Sequence, residues 1–390
     1  MTRRELLATP ALMVQNPPPP PREYQIGAYY FPNYHVDPRN ERAHGRGWTE
    51  WELVKRALPR FEGHRQPRKP LWGYEDESNP RVFERKIDVA AQHGLNHFIF
   101  DYYWYNDGPY LNRCLDRGYL GAGNNHKVKF ALMWANHDWL DIHPARAGIR
   151  APLLYPGALT RDAWDWMTDN IVTRYFAHPC YWRPGGLPYF SIYELYKFVD
   201  SMGGTEEAAA ALQQLRNKAG RIHINAVVWG VKLLPSETTI TNPNQMLRKL
   251  GIDSVTSYVW IHHFPLTTFP SEPYERAAQF MYGYWRKAAG DFDVPYHPNV
   301  TMGWDASPRT CQSDTFEDRG YPFMPMLSGN TPQAFRRALE ECKRFLDSQR
   351  NGLKIFNINA WNEWTEGSYL EPDTENGLGY LEAIRDTFSS

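Results

Sequence analysis

Cysteine is scarce in this 390-residue chain, and its spacing argues against two common kinds of site. The four cysteines, Cys114, Cys180, Cys311 and Cys342, lie far apart, and no C-x-x-C pair occurs. Structural zinc sites and thioredoxin-like redox centres use closely spaced thiols. We therefore predict core cysteines, no metal site and no cofactor.

Two further absences narrow the class of protein. No stretch approaches the roughly 18 apolar residues that a membrane-spanning helix needs, so we predict no membrane insertion. Acidic and basic residues nearly cancel, with 44 Asp and Glu against 43 Lys and Arg, and no Lys/Arg-rich tract occurs. Because nucleic-acid binding depends on a concentrated positive patch, nucleic acid is not an expected partner.

The first 23 residues differ in composition from the rest of the chain. Arg3 and Arg4 precede a short apolar segment and five prolines at 17–21. This pattern resembles a twin-arginine export leader with a stiff polyproline spacer, and a disordered tail with incidental arginines is the alternative. An export leader would make the protein periplasmic or extracellular, whereas the tail would leave it cytoplasmic. Residues 24–390 are the expected catalytic domain.

After Tyr24 the chain alternates extended apolar runs with helical patterns. Eight candidate strands fall at 25–31, 95–104, 128–134, 187–193, 221–229, 252–260, 298–304 and 353–361. The clearest helix spans 331–352, where Thr331 suits the N-cap, Pro332 the first turn and Gly352 the stop. Strands that alternate with helices pair in parallel, and eight such units close a (β/α)8 barrel.

We therefore predict an α/β fold of the TIM-barrel type, a single domain with long βα loops. An open doubly wound sheet is the alternative, but no G-x-G-x-x-G turn follows the first strand. The long connections at 135–158, 229–250 and 303–330 are expected to shape a pocket.

Aromatic residues are plentiful, with 15 Trp and 24 Tyr. They fit either a large aromatic core or a sugar-binding site, because the apolar faces of pyranose rings stack on aromatic planes. Barrel active sites lie at the carboxyl ends of the strands, and aromatic, acidic and histidine residues concentrate there. For any one residue a core role is an equal alternative, but their common placement favours a site. The candidate substrate-binding residues are Tyr29, Tyr30, Asn33, His35, Trp48, Glu50, Asp101, Tyr103, Trp104, Trp134, Asn136, Tyr193, Trp260, His262, Trp304, Asp305, Arg309, Trp361 and Asn362. The same ends also carry Tyr102, His137, Asp138, Glu194, Trp229, Tyr258 and Asn359.

The segment NAWNEWTEGSYLEPD at 359–373 follows the last predicted strand and contains Glu363 and Glu366. Acids beside aromatics, without a phosphate loop or His/Cys metal spacing, are typical of glycosidic bond cleavage. One carboxylic acid protonates the departing oxygen, and a second carboxylate assists formation of the new bond at the anomeric carbon.

Five segments together resemble the WbsX-type family, named as glycosyltransferases of bacterial surface polysaccharide clusters. They are residues 45–70, 131–139, 187–194, 303–309 and 359–373. This family is related to glycoside hydrolase family 99, the endo-α-mannosidases and endo-α-mannanases. The resemblance runs from about Ile26 to Leu381 and implies a (β/α)8 barrel.

The resemblance also implies catalytic roles for Glu363 and Glu366. In family 99, the first glutamate of the pair removes the proton from the sugar 2-OH, whose oxygen attacks C1 to form a 1,2-anhydro sugar. The second glutamate protonates the leaving oxygen and then activates water. The expected function is a retaining glycoside hydrolase acting on manno-configured sugars, mannose or L-rhamnose, in an oligosaccharide or polysaccharide. A glycosyltransferase and a non-catalytic carbohydrate-binding protein are the alternatives.

Overall fold

The computed structural model describes residues 23–229, 242–349 and 352–388, so the proposed leader lies almost wholly outside the described residues. Nine parallel strands form the main sheet. They are β1 (Tyr24–Tyr30), β2 (His97–Tyr105), β3 (Lys129–Trp134), β4 (Tyr189–Ile192), β5 (His223–Val227), β6 (Ser254–Thr256), β7 (Tyr296–His297), β8 (Asn299–Thr301) and β9 (Lys354–Asn359). Their order in space is β7-β6-β5-β4-β3-β2-β1-β9-β8. Each of the eight predicted strands overlaps one of these, and β7 was not predicted.

The two edge strands of this sheet are the halves of one chain segment. The β7 strand pairs with β6, the β8 strand pairs with β9, and Pro298 alone separates β7 from β8. Proline has no N–H to donate, so it interrupts the ladder, while its carbonyl still accepts a bond from the Asn357 N–H at 3.0 Å. The sheet is thus a nearly closed parallel barrel. The TIM-barrel prediction is confirmed, and the open doubly wound sheet is wrong.

Ten α-helices are described around this barrel. They are α1 (Pro38–His44), α2 (Trp51–Arg56), α3 (Pro80–Gln92), α4 (Arg161–Asn170), α5 (Leu195–Met202), α6 (Thr205–Ala219), α7 (Pro243–Leu250), α8 (Tyr274–Asp291), α9 (Pro332–Ser348) and α10 (Gly379–Phe388). The Thr331 side chain caps α9 by accepting a bond from the Ala334 N–H at 3.2 Å, and Pro332 occupies the first turn, as predicted. The helix ends at Ser348, earlier than the predicted stop at Gly352, because Gln349 is already extended. No described helix is long and apolar enough to cross a membrane.

Short strands lie in the loops at the carboxyl end of the barrel. Gly108–Tyr110 runs antiparallel to the end of β2. The other described pairs are Trp139–Leu140 with Leu153–Tyr155, Ser271–Pro273 with Met326–Ser328, and Asn362–Glu363 with Ser368–Tyr369. These pairs give the loops above the barrel a fixed shape, and the last of them carries both candidate catalytic acids.

Successive side chains of each strand alternate between the barrel interior and the surrounding helices. On β2, Phe98 and Phe100 pack against outer aromatic residues, whereas Asp101 and Tyr103 face the cavity at the end of the barrel. Three of the four cysteines are buried and all four are free thiols, so the prediction of core cysteines holds for all except the partly exposed Cys311. The inward-facing side chains at the carboxyl end of β2 therefore belong to the site.

Candidate active site

A cavity of about 480 Å³ opens among the carboxyl ends of the strands and their loops. Glu363 and Glu366 both line it. After β9 the chain forms a tight hairpin whose turn ends at Gly367, with φ 62° in the left-handed region that favours glycine. A Cβ at this position would also lie 2.7 Å from the Cβ of Asp305. A glycine is thus required for the hairpin that presents the two glutamates.

Arg309 joins three buried carboxyl groups in the wall of the cavity. Its Nη2 lies 3.2 Å from Oε2 of Glu363 and 3.0 Å from Oε1 of Glu50, and its Nη1 binds Oε1 of Glu366. Tyr321 donates a further bond to Glu366 at 2.8 Å. A planar guanidinium can bind several carboxylates in fixed directions, so Arg309 sets the relative positions of the two candidate catalytic acids.

Tyr258 connects Glu363 to a fourth buried acid, Asp101. Its hydroxyl lies 3.1 Å from Oε1 of Glu363 and 3.1 Å from Oδ2 of Asp101. The other carboxyl oxygen of Asp101, Oδ1, is buried and makes no hydrogen bond within the described residues. Asp101, Glu363 and Glu366 therefore form a set of three acids around one end of the barrel.

Burial and neighbouring charges perturb these acids in different directions. Burial raises the pKa of Glu363 well above its ordinary value, and the nearby charge of Glu366 raises it further against the opposing effect of Arg309. Burial likewise raises the pKa of Glu366, although Arg309 and the Tyr321 hydroxyl act against it. Burial would also raise the pKa of Glu50, but Arg309, His143 and the hydrogen bonds from Thr365 and Asn33 together outweigh it and hold that pKa below the ordinary value. Glu50 is thus the ionised partner of Arg309, whereas burial opposes ionisation of Glu363 and Glu366.

A buried ionic network supports the hairpin from behind. The Asn362 side chain bonds to both the N–H and the carbonyl oxygen of Phe31, at 2.8 and 2.7 Å. The Trp364 indole donates to Glu371 at 2.8 Å, and Lys86 lies 2.7 Å from Glu371 and 2.6 Å from Glu77. These contacts fix the strand and turn that carry Glu363 and Glu366. Glu371 is therefore a support of the hairpin.

Aromatic rings form the remaining walls of the cavity. The His262 ring stacks on Trp229 with centroids 3.8 Å apart, and Tyr193 lies edge-on to Trp229 at 5.5 Å. On the loop after β3, Trp139 stacks with His143 at 5.3 Å. Burial lowers the pKa of His143 to about 4 and that of His262 well below its ordinary value, so both rings are neutral near pH 7. Neutral flat rings beside acids can hold the faces of a sugar.

Comparison with known proteins gives a family for this chain. The model of the family described as glycosyltransferase WbsX matches residues 26–384. The chain belongs to this family. A relative from Xanthomonas campestris pv. campestris (strain B100), described as uncharacterized protein WxcX, is 28% identical to this WbsX-family chain over 377 residues. The match covers 93% of this chain and 49% of the relative, so the chain spans about half the length of the curated relatives it matches.

Two solved structures similar to this WbsX-family protein have descriptions that name glycoside hydrolases or a glycoside hydrolase-like protein. The GH99 endo-α-mannosidase from Bacteroides thetaiotaomicron has a TM-score of 0.53 and 15% identity, with 94% of this chain and 96% of that chain covered. A structure described as a glycoside hydrolase-like protein has a TM-score of 0.58 and 16% identity, with 98% and 97% covered. At this level of identity the likeness establishes the fold.

The structure brings many of the predicted site residues of this WbsX-family protein together. Beside the two glutamates, the cavity is lined by the predicted residues Asp101, Tyr103, Tyr193, His262, Trp304 and Arg309. A second group contacts residues that line the cavity without lining it themselves. This group contains Tyr29, Trp48, Glu50, Asn136, Asp305 and Asn362. Asn33 lies one contact further away and donates a hydrogen bond to Glu50 at 2.6 Å.

Six further predicted substrate-binding residues also do not line the cavity. They are Tyr30, His35, Trp104, Trp134, Trp260 and Trp361. Strand alternation explains Tyr30, Trp104 and Trp134, because each neighbours an inward-facing residue and points toward the outer layer instead. Trp134, for example, packs on Trp164 with centroids 5.4 Å apart. Their predicted place in the site was wrong, because neighbouring residues of a strand point to opposite faces of the sheet.

Other cavity residues of this WbsX-family protein were not predicted. Trp139, His143 and Tyr321 come from the two long connections at 135–158 and 303–330, which do shape the pocket as expected. The third long connection contributes Trp229, but its residues 230–241 lie outside the described part of the chain. Tyr258 stands at a predicted strand end, yet no role had been assigned to it. Within these loops the sequence pointed to residues close to the strand ends, such as Arg309, and not to Trp139, His143 or Tyr321.

Proposed function

We propose that this protein is a retaining glycoside hydrolase that cleaves α-linked manno-configured sugars, mannose or L-rhamnose, in an oligosaccharide or polysaccharide. The observation that carries the proposal is the pair of buried acids, Glu363 and Glu366, held on one guanidinium in an aromatic cavity. Two carboxyls in one cavity are the minimum set for glycosidic bond cleavage with acid and base assistance.

The proposed reaction has two steps in which every proton has an acceptor. In the first, Glu363 takes the proton of the sugar 2-OH while O2 attacks C1, and Glu366 protonates the leaving oxygen. In the second step, the oxygen of a water molecule attacks C1 while Glu366 takes a proton from that water. Glu363 then returns its proton to O2. A 2-OH trans to the leaving group, as in α-mannosides and α-rhamnosides, can attack from the opposite face. The raised pKa of Glu366 suits its role as the acid of the first step.

The family description favours a second candidate, a glycosyltransferase that uses a nucleotide sugar. The charge of the cavity argues against it. Among the described residues that line the cavity, Arg309 is the one Lys or Arg side chain, and it already contacts three carboxyl groups. Acids lining the same cavity are Asp101, Asp138, Glu194, Glu363 and Glu366. A nucleotide diphosphate would bring two or more further negative charges into an acidic pocket with no free cation among its described residues.

The proposal is tested with two modified glycosides and intact-protein mass spectrometry. Glycosides that are 2-deoxy or 2-O-methyl at the cleaved residue cannot form a 1,2-anhydro sugar, so they should bind without turnover. A 2-deoxy-2-fluoro glycoside should leave the mass of the protein unchanged. An ordinary retaining glycosidase would accumulate a covalent adduct with the fluoro sugar. Glu363→Gln is the matched control for loss of turnover, because it removes the proposed base and keeps almost the same side-chain volume.

The outcomes separate the candidates. Hydrolysis of a synthetic 1,2-anhydro sugar of manno configuration by the wild type, and not by Glu366→Gln, supports the proposal. An adduct on any acid contradicts the anhydro step and leaves the glycosidase assignment. Binding of a polysaccharide panel without release of any product contradicts the hydrolase and favours the non-catalytic carbohydrate-binding protein. Sugar transfer that depends on a nucleotide donor favours the transferase.

A further inference from the structure

A hydrogen count at Tyr258 requires a proton on one of two neighbouring acids. The phenol has one O–H hydrogen, but its oxygen lies 3.1 Å from a carboxyl oxygen of Asp101 and 3.1 Å from one of Glu363. If both acids were ionised, one contact would bring two acceptor oxygens together without a hydrogen. A buried contact of that kind is strongly unfavourable. One of the two carboxyls therefore donates to Tyr258, and Tyr258 donates to the other.

The surrounding charges decide which acid holds the proton. Glu363 has its second oxygen 3.2 Å from the Arg309 guanidinium, so a negative charge on Glu363 is compensated. Asp101 has no cation in contact, and its Oδ1 makes no hydrogen bond within the described residues. The titratable and charged groups that face Asp101 are Tyr29, Tyr103, Tyr193, Tyr258, Glu363, Glu366 and Arg309. Most of these groups are neutral or acidic, so they favour the uncharged form of Asp101.

We propose that Asp101 is a neutral carboxylic acid that donates its proton to Tyr258, which in turn donates its own to Glu363 and keeps Glu363 ionised. Asp101 and Tyr258 are then positioning residues for the base of the proposed hydrolysis. This assignment rests on the proposed function for its role, although the proton arrangement itself needs no substrate.

The electrostatics of the site agree with this arrangement. Burial raises the pKa of Asp101 well above its ordinary value. Burial also raises the pKa of Glu363, and the charges of Glu366 and Asp101 add to that increase. When Glu366 carries the proton of the general acid and Asp101 carries its own, both charges are removed. Burial then still opposes a charge on Glu363, while Arg309 and the Tyr258 hydrogen bond both favour its ionised form.

Infrared difference spectroscopy at pH 7 tests the proton arrangement without substrate. The wild type should show the carbonyl band of a neutral carboxylic acid that disappears in Asp101→Asn and shifts in Tyr258→Phe. A second neutral-acid band should disappear in Glu366→Gln. Asp200→Asn, an exposed position on α5, is the matched control and should remove neither band. If Asp101→Asn does not fold, the shift of the neutral-acid band in Tyr258→Phe still tests the proton arrangement.

The pH profile of kcat/KM adds a readout that a purely structural role would not change. Tyr258→Phe removes a donor to Glu363, so the acid limb of the profile should move to higher pH, with a loss of about 10²-fold near pH 6. Asp101→Asn still donates an N–H to Tyr258, so its acid limb should stay with the wild type. A spectrum in which no neutral-acid band responds to Asp101→Asn or Tyr258→Phe, or an equal shift of the acid limb in both variants, would overturn the inference. An enzyme without hydrolytic activity that still shows the Asp101 band would overturn the proposed function alone.

Discussion

Glu363 and Glu366 share Arg309 but differ in their second partner. The Tyr258 hydroxyl lies 3.1 Å from Glu363, and the Tyr321 hydroxyl lies 2.8 Å from Glu366. Two carboxyls three residues apart thus have distinct hydrogen-bond environments. Sites that use paired carboxyls for acid and base roles separate them in this way, by environment more than by residue type.

Replacement of either glutamate by glutamine should abolish most hydrolysis without unfolding the protein. Each change keeps the side-chain volume and removes proton transfer, which contributes about 10²- to 10⁴-fold to such reactions. Glu366→Gln should recover partly on aryl glycosides with good leaving groups, because these need little protonation. Glu363→Gln should not recover, because O2 still lacks its base. Steady-state kcat on activated and natural substrates measures the difference.

The same kinetics show how the residue assignment could fail. Near-full activity of either variant on the natural substrate would remove that residue from the mechanism. Recovery of Glu363→Gln but not Glu366→Gln on activated substrates would exchange the two roles. Circular dichroism and thermal unfolding of each variant, compared with the wild type, separate a catalytic loss from a folding defect.

At the scale of elements, Asp305 joins the loop after β8 to the loop that precedes α3. Its Oδ2 lies 2.9 Å from Nε2 of His64 and accepts a bond from Gln66 at 2.8 Å, while Oδ1 accepts from the Ser307 N–H at 3.0 Å. Burial would raise the pKa of Asp305, but the bonds from His64, Ser307 and Gln66 outweigh it and lower the pKa to about 2. The ionised form is therefore favoured in the folded state.

Asp305→Asn should lower the free energy of unfolding at pH 7 by about 2 kcal/mol. A carboxyl with a folded pKa of about 2 and an unfolded pKa of ~3.9 stabilises the fold above pH ~4, and this contribution is lost as the pH falls toward 2. The difference between variant and wild type should therefore shrink over that range. Urea unfolding at several pH values measures it, with Asp318→Asn on the same loop as the exposed control. A difference that does not change with pH would contradict the ionic role of Asp305.

The strands were largely predictable from the sequence, because buried parallel strands are continuous apolar runs. The strand at 298–304 shows the limit. The predicted strand began at Pro298 and missed β7, which lies just before it, because a proline interrupts an apolar run. The carbonyl groups of Pro295 and Pro298 nevertheless accept bonds from β6 and β9. The helix α9 was predictable at its start, where capping is local, and less so at its end.

The site was predictable only in part, for a physical reason. Glu363 and Glu366 follow a strand directly, and their order in the chain fixes their place. Tyr321 lies in a long loop, 45 residues before Glu366 in the sequence, so no local sequence pattern predicts their hydrogen bond. Likewise, the pairing of Asp101 with Tyr258 spans 157 positions and depends on the order of strands around the barrel.

For the molecule as a whole, the buried acids at the carboxyl end of the barrel lower the stability of the fold. Asp101, Glu363 and Glu366 are buried, and burial raises the pKa of each. An acid whose folded pKa is raised lowers global stability at every pH above its unfolded pKa, because folding must keep it protonated or bury its charge. The ordered rings, hairpin and ionic network around the site offset this cost.

Asp101→Asn should therefore stabilise the whole protein near neutral pH while it alters the site. At pH 4, near the unfolded pKa of ~3.9, the unfolded state holds about half a proton at Asp101 and the native state holds one, which costs the wild type only about 0.4 kcal/mol. Variant and wild type should therefore unfold at similar temperatures at this pH. As the pH rises, the advantage of the variant should grow by up to about 1.4 kcal/mol per pH unit until the folded pKa is reached. For a chain of this size, each kcal/mol corresponds to roughly 1 °C in Tm. Calorimetry at a fixed heating rate between pH 4 and pH 8 measures the trend, with Asp200→Asn as the exposed control. A Tm difference independent of pH would mean that Asp101 is ionised in the native protein, and would count against its role as a proton donor to Tyr258.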